Sequence, residues 1–170
     1  RMDPRVDLTL AEYIEQDVFV AEVAAELTEI HRAARDVNDV NEQIGTLLER
    51  IEGREGADIV GEAADELTTD LEVVADSLYQ ARVMDGQTVI NFPSRLKFQY
   101  VWLHGNADGA ETGVTRGSRD VLGDLRVRWT QHRGTVEDLV GPRLDAFNDL
   151  LEEHGLGAII APPGRRRPIS

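Results

Sequence analysis

Apolar or small residues fall at Val20, Val23, Leu27, Ile30, Ala34, Val37, Ile44, Leu48 and Ile51, in steps of three and four, with Asn41 in the one polar seat of the series. That period winds a stripe along one face of an α-helix and does not fit the alternation of a strand. The pattern predicts a helix over about 10–52, roughly 65 Å long at 1.5 Å per residue. Thr9-Leu10-Ala11-Glu12 stands at its start as a capping box, in which the hydroxyl of Thr9 and the carboxylate of Glu12 reach reciprocally for orphan backbone N–H groups. Gly53-Arg54-Glu55-Gly56 then reads as a glycine-bracketed turn of the length that joins antiparallel helices.

A second helix follows over about 57–83, with apolar seats at Val60, Ala64, Leu67, Leu71, Val74, Leu78 and Ala81. Antiparallel to the first, it climbs only about as far as Glu26 and leaves residues 10–25 uncovered. Tyr13, Val18 and Phe19 need a shield. The next stretch, QTVINFPSRLKFQY and on to Leu103, supplies one: extended through Val89, Ile90, Asn91 and Phe92, it meets Pro93 at a helix start and forms a short helix over about 93–104. Leu96, Val101, Trp102 and Leu103 are expected to point inward. The alternative cover is a neighbouring domain. Val-Ile-Asn-Phe-Pro reads as a structural plug under the first helix, with a peptide or ligand groove as the alternative.

After a loop over 105–113, Leu122, Leu125, Trp129, His132, Val136 and Leu139 mark a helix over about 116–140. Gly141-Pro142 interrupts it, and a last helix over about 142–154 carries Leu144, Phe147, Leu150 and Leu151 and stops at Gly155. The fold class is therefore all-α, an antiparallel bundle of three long helices plus one short helix. Residues 9–156 form the bundle, 1–8 an extended arm or the end of a preceding domain, and 157–170 a flexible, irregular tail.

Composition narrows the function classes. The formal charge of −14 repels phosphate backbones and anionic membrane surfaces, which argues against nucleic acid and membrane partners. No apolar run approaches the roughly 20 residues of a membrane span. Cysteine is absent, so thiol nucleophiles, disulfides and zinc-thiolate sites are excluded. Arginine dominates the basic residues, Lys97 being the only lysine, and Arg116, Arg119, Arg126, Arg128, Arg133 and Arg143 lie on the last long segment. Pairing with the acidic second helix is expected, at about 0.2 to 1 kcal/mol per exposed pair.

Reactive constellations are not legible. A bundle di-metal site needs Glu-x-x-His pairs, yet Thr28, Val101, Trp129 and Leu151 stand three before the histidines. Asp36, Asn38 and Asp39 carry calcium-loop letters inside a heptad helix, without the glycine and glutamate of an EF-hand. Serines 77, 94, 118 and 170 lie in no nucleophile elbow. The chain is expected to have no catalytic, cofactor-binding or metal residue, and not to be an enzyme. His132 reads as a hydrogen-bonded core histidine. Asn41 is either a register-setting contact or a half-exposed seat at a seam edge. The structural candidates are Thr9, Glu12, Asn41, Asn91, Pro93, Trp102, Trp129, His132, Pro142 and Phe147.

The order of parts also carries a resemblance. An arm with Asp3-Pro4-Arg5 leads into the capped long helix, then come Leu78-Tyr79-Gln80-Ala81-Arg82, Asn91-Phe92-Pro93-Ser94-Arg95-Leu96 and the closing run Pro142-Arg143-Leu144-Asp145-Ala146-Phe147-Asn148-Asp149-Leu150-Leu151. This resembles the C-terminal helical region of large bacterial BNR-repeat, sortilin-like (VPS10-type) β-propeller proteins, often labelled glycosyl hydrolase or exo-sialidase-like. The resemblance implies a non-catalytic appendage of an exported, periplasmic or extracellular protein, whose partner is an upstream propeller or β-sandwich domain of the same protein. Any glycosidase chemistry would belong to that propeller, because the Asp-box repeats are missing from these residues. The alternatives are support of a sialidase-like glycoside hydrolase and self-association as a coiled-coil homo-oligomer.

Overall fold

A computed structural model describes residues 8–79, 95–109 and 113–162. The protein is all-helical, its helices packing against one another as a bundle, and no strand occurs among the described residues. The elements are α1 (Leu10–Ile51), α2 (Ala57–Leu78), α3 (Leu96–Asp108), α4 (Arg116–Asp138), a kinked segment (Leu139–Arg143) and α5 (Leu144–Glu153). Residues 1–7 of the expected arm, Asn91, Pro93 and the tail beyond residue 162 lie outside the described residues.

Two compact units divide these elements, and both draw on the single long helix α1. In the first unit α1 runs antiparallel to α3, since Gln16 bonds to Ala107 while Glu26 bonds to Tyr100. It runs parallel to α4, since Glu15 pairs with Arg119 and Glu22 with Arg126. In the second unit the order up, down, up recurs. Tyr79 after α2 reaches back to Asn38 of α1, and α5 runs antiparallel to α2, since Arg143 just before α5 pairs with Asp70 while His154 at its end lies against Gly56.

The buried face of α1 carries Gln16, Phe19, Val23, Ile30, Ala33, Val37, Val40, Ile44, Leu47 and Ile51. With half-buried Glu26 added, the steps alternate three and four without a break. The stripe expected from sequence has the right period, but every second seat lies one residue too late: Phe19, Glu26, Ala33, Val40 and Leu47 face inward where Val20, Leu27, Ala34, Asn41 and Leu48 were expected. Those five are half-buried at the seam edge. Partners on two sides widen the apolar face of α1, so both phases carry apolar residues and only packing separates them. Asn41 is thus an edge residue, not the polar seat of the seam.

Helix α2 buries Val60, Ala64, Leu67, Leu71, Val74 and Leu78 as the spacing predicts. It ends at Leu78, short of the expected residue 83. The N–H of Tyr79 closes the last turn on Ala75, and its backbone turns extended (φ −146°, ψ 155°), with its hydroxyl 2.6 Å from Asn38. The turn before α2 places Gly53 and Gly56 at φ +75° and +82°, where a side chain is strained.

The expected start at Pro93 lies outside the described residues; helix α3 starts at Leu96, behind an extended Arg95. It runs on through Gly105 to Asp108, where a loop was expected. Asn106 bonds to the carbonyl of Trp102, and Gly109 closes on Gly105. Leu96, Tyr100, Leu103 and Ala107 form its buried face.

The interruption at Gly141-Pro142 is a kink, as the proline predicts, with Gly141 at the non-helical φ −118°, ψ −105°. Leu139 and Val140 are both buried on its near side, and Leu144, Phe147 and Leu151 continue the core beyond it. Helix α5 closes in a Schellman motif. Leu156 N–H bonds to Leu151 O at 2.8 Å and Gly155 N–H to Glu152 O at 2.9 Å, with Gly155 at φ +67°.

Residues 157–162, expected to belong to a flexible tail, are packed: Ile159 and Pro162 are buried. The amide of Asn148 holds the N–H and C=O of Ile159, and the amide of Gln43 those of Ile160. No apolar period announces such a segment, because side-chain amides on helices replace the neighbour a strand would need.

Candidate interaction surface

The capping box forms as the sequence predicts. Thr9 N–H donates to Glu12 Oε2 at 2.8 Å, Thr9 Oγ1 donates to the same oxygen at 2.7 Å, and Glu12 N–H reaches Thr9 Oγ1 at 3.3 Å. The backbone bond first, and the hydroxyl second, hold the Glu12 carboxyl below the usual carboxylate range.

Gln16, Glu26 and Tyr100, none of them a candidate from the sequence, tie the first unit together, with Arg126 joining them. Gln16 Nε2 donates to the carbonyl of Ala107 at 2.6 Å, from a buried seat of α1. Tyr100, fully buried, donates to Glu26 Oε2 at 2.8 Å. Arg126 then spans Glu26 Oε1 at 2.7 Å through Nε and Glu22 Oε2 at 2.8 Å through Nη2. Burial, and then the bond to Glu26, push the Tyr100 phenol above the usual tyrosine range. The bonds to Glu22 and then Glu26 strengthen the hold of Arg126 on its proton.

Arg119 and Arg126 stand seven apart, as do Glu15 and Glu22, so the two ion pairs repeat along parallel α1 and α4. The expected arginine seam on α2 is therefore corrected: Arg119 and Arg126 serve α1, Arg116 and Arg133 pair within α4, and Arg143 bonds to Asp70 of α2. The residues of α4 as far as Gln131 belong to the first unit, which holds no part of α2.

Inside that frame, one face of α3 is apolar and open. Phe98 and Val101 are each 44% exposed and Trp102 is 59% exposed, which corrects the inward placing of Val101 and Trp102. The segment carries apolar residues on both faces, and the three-and-four spacing of Leu96, Tyr100, Leu103 and Ala107 decides which is buried. Phe98, Gln99, Trp102, Val121 and Leu125 line a cleft of about 400 Å³ between α3 and α4. Arg128 donates to Gln99 at its edge.

Trp129 and Phe147 are buried, as expected of core candidates, and His132 is half-buried. The Trp129 ring N–H meets no acceptor among the described residues. Pro142 sits in the kink before α5. No group of three His, Asp or Glu side chains among the described residues is placed to hold a metal ion, and no described helix is long and apolar enough to cross a membrane. Comparison with known protein families, curated proteins and solved structures finds no match to this chain.

Proposed function

We propose that the chain is a non-catalytic helical module that works by presenting a rigid surface, with the α3–α4 cleft as its working face. The observation that carries this reading is the outward aromatic pair Phe98 and Trp102, four residues apart on a helix whose opposite face is already buried. Aromatic side chains exposed together on a fixed helical element are characteristic of contact surfaces. The ion pairs and the Tyr100–Glu26–Arg126 bonds keep α3 and α4 in place beneath them.

In the resemblance drawn from the sequence, the cover is an upstream propeller or β-sandwich domain of the same polypeptide, and the module is its C-terminal appendage. The glycoside hydrolase alternative gives this chain the same supporting role beside a catalytic propeller. A second reading, self-association, is favoured by a second exposed ridge, Leu10, Ile14 and Val18, which repeats every four residues along the start of α1.

Trp102 reports on all of these. In a Trp129→Phe chain it is the only indole, and joining the chain to the segment encoded before it should blue-shift its emission and reduce its quenching by iodide. Unchanged emission in the longer protein refutes the upstream-domain reading. A concentration-dependent shift in the isolated chain, matched by dimer sedimentation that Trp102→Asp abolishes, selects self-association.

A further inference from the structure

The segment 157–162 is gripped by its backbone. Asn148 Oδ1 accepts from Ile159 N–H at 2.7 Å while its Nδ2 donates to Ile159 O at 3.0 Å. One residue on, Gln43 Oε1 accepts from Ile160 N–H at 2.9 Å and its Nε2 donates to Ile160 O at 3.2 Å. Two helical side chains thus satisfy all four main-chain groups of two consecutive residues, as a neighbouring strand would. Such a grip reads main chain rather than side chain. Selectivity comes from two buried seats, Ile159 at 6% exposure and Pro162, while Ile160 between them is 64% exposed.

We propose that the groove between α1 and α5 in the second unit is a binding site for a peptide strand, and that residues 157–162 are its resident, replaceable occupant. The ligand class is an apolar β-branched residue followed three positions later by proline, with basic residues beyond. Recesses of about 550 and 660 Å³ flank the strap. Their walls carry Asp39 and Glu42 on one side and Asp145, Asp149 and Glu152 on the other, with Arg50 as the basic member among the described lining residues. The occupant's own sequence continues into Arg165, Arg166 and Arg167, the sign of charge such walls attract. Gly155, at φ +67°, and Gly157 bracket a short hinge between α5 and the strap. This site lies in a different unit from the α3–α4 cleft and does not rest on the function proposed for it.

The test uses the chain shortened after Leu156 and a synthetic peptide of residues 157–170, titrated by calorimetry while circular dichroism monitors the helices. Saturable one-to-one binding is expected, weakened on the order of tenfold by Asn148→Ala or by Gln43→Ala, each of which removes two hydrogen bonds. A peptide with Ile159→Asp should not bind, and added salt should weaken the native peptide. A folded, shortened chain that does not bind the peptide, or binding indifferent to Asn148 and Gln43, overturns the proposal. Should the shortened chain not fold, a protease site inserted at Gly157 allows the strap to be cut after folding. Its release on dilution with helicity intact supports a separable site, and unfolding on release refutes one. Dimers of the intact chain that vanish on shortening would assign the groove to a second copy's strap and overturn the assignment within one chain.

Discussion

Tyr100 donates its hydroxyl hydrogen to Glu26, 74 positions earlier in the chain, at 2.8 Å. The phenol is fully buried, and the carboxylate it meets is also bonded by Arg126. The Glu26 carboxylate of α1 thereby accepts one bond from α3 and one from α4.

That bond predicts an alkaline limit to stability. The folded protein holds the Tyr100 proton above the usual tyrosine range, while an unfolded tyrosine ionises near about pH 10. The contribution is fully present below that pH and is lost as pH rises through it toward the folded value. Tyr100→Phe should cost about 1.5 to 3 kcal/mol at pH 7 and flatten the decline above pH 10, both read from urea unfolding. An equally steep decline in both proteins would disprove the link.

At the other end of the pH scale stands the capping box. Because Glu12 is depressed by the Thr9 N–H and hydroxyl, its contribution is present above the ordinary glutamate value and fades as pH falls through the lower folded one. A carbon-detected NMR titration should place the Glu12 midpoint below that of a free glutamate. In Thr9→Ala the backbone N–H remains, so the midpoint should move only part of the way back, with faster amide exchange in the first turn.

The phase of the α1 seam is tested by neighbouring residues. Val40→Asn puts an amide into a fully buried seat and should cost about 2 to 4 kcal/mol, from lost apolar burial plus an unmet polar group. Asn41→Leu, one position on at the half-buried edge, should change stability by less than about 1 kcal/mol. Thermal melts that reverse this order would restore Asn41 to the seam.

Gly56 faces two constraints at once. Its φ of +82° disfavours any side chain, and a Cβ there would stand 2.6 Å from Nδ1 of His154. Gly56→Ala should destabilise by about 1 to 3 kcal/mol. Adding His154→Ala should recover the steric part and leave the backbone part, a coupling that a double-mutant cycle measures.

Which features could be read in advance follows from how many neighbours each has. Helix α2 carries a single apolar stripe, so its buried face is legible from spacing alone. Helix α1 packs on two sides, and pairs such as Phe19 with Val20 or Val40 with Asn41 leave the phase open until α3 and α2 are in place. Trp102 misleads because a large aromatic on a short, two-faced helix suits either side. Gln16, Glu26 and Tyr100 look like polar interruptions in sequence; only their mutual distances show them to be joints. The capping box, the Gly155 stop and the break at Gly141-Pro142 are local, determined by residues within one turn, and for that reason they are visible in the letters. The strap on Gln43 is the opposite case, its grip spanning 117 positions.

The division of α1 between two units also orders assembly in time. Its later half meets α2 across the short turn at 52–56, a contact that closes with little loss of chain entropy. Its earlier half waits for partners 91 and 104 positions away, at Ala107 and Arg126. During synthesis Phe19 and Val23 therefore emerge well before the helices that shelter them. Ribosome-bound chains ending near residue 80 should show protected amides after residue 32 and fast-exchanging ones before it, the interval in which a chaperone would find its grip.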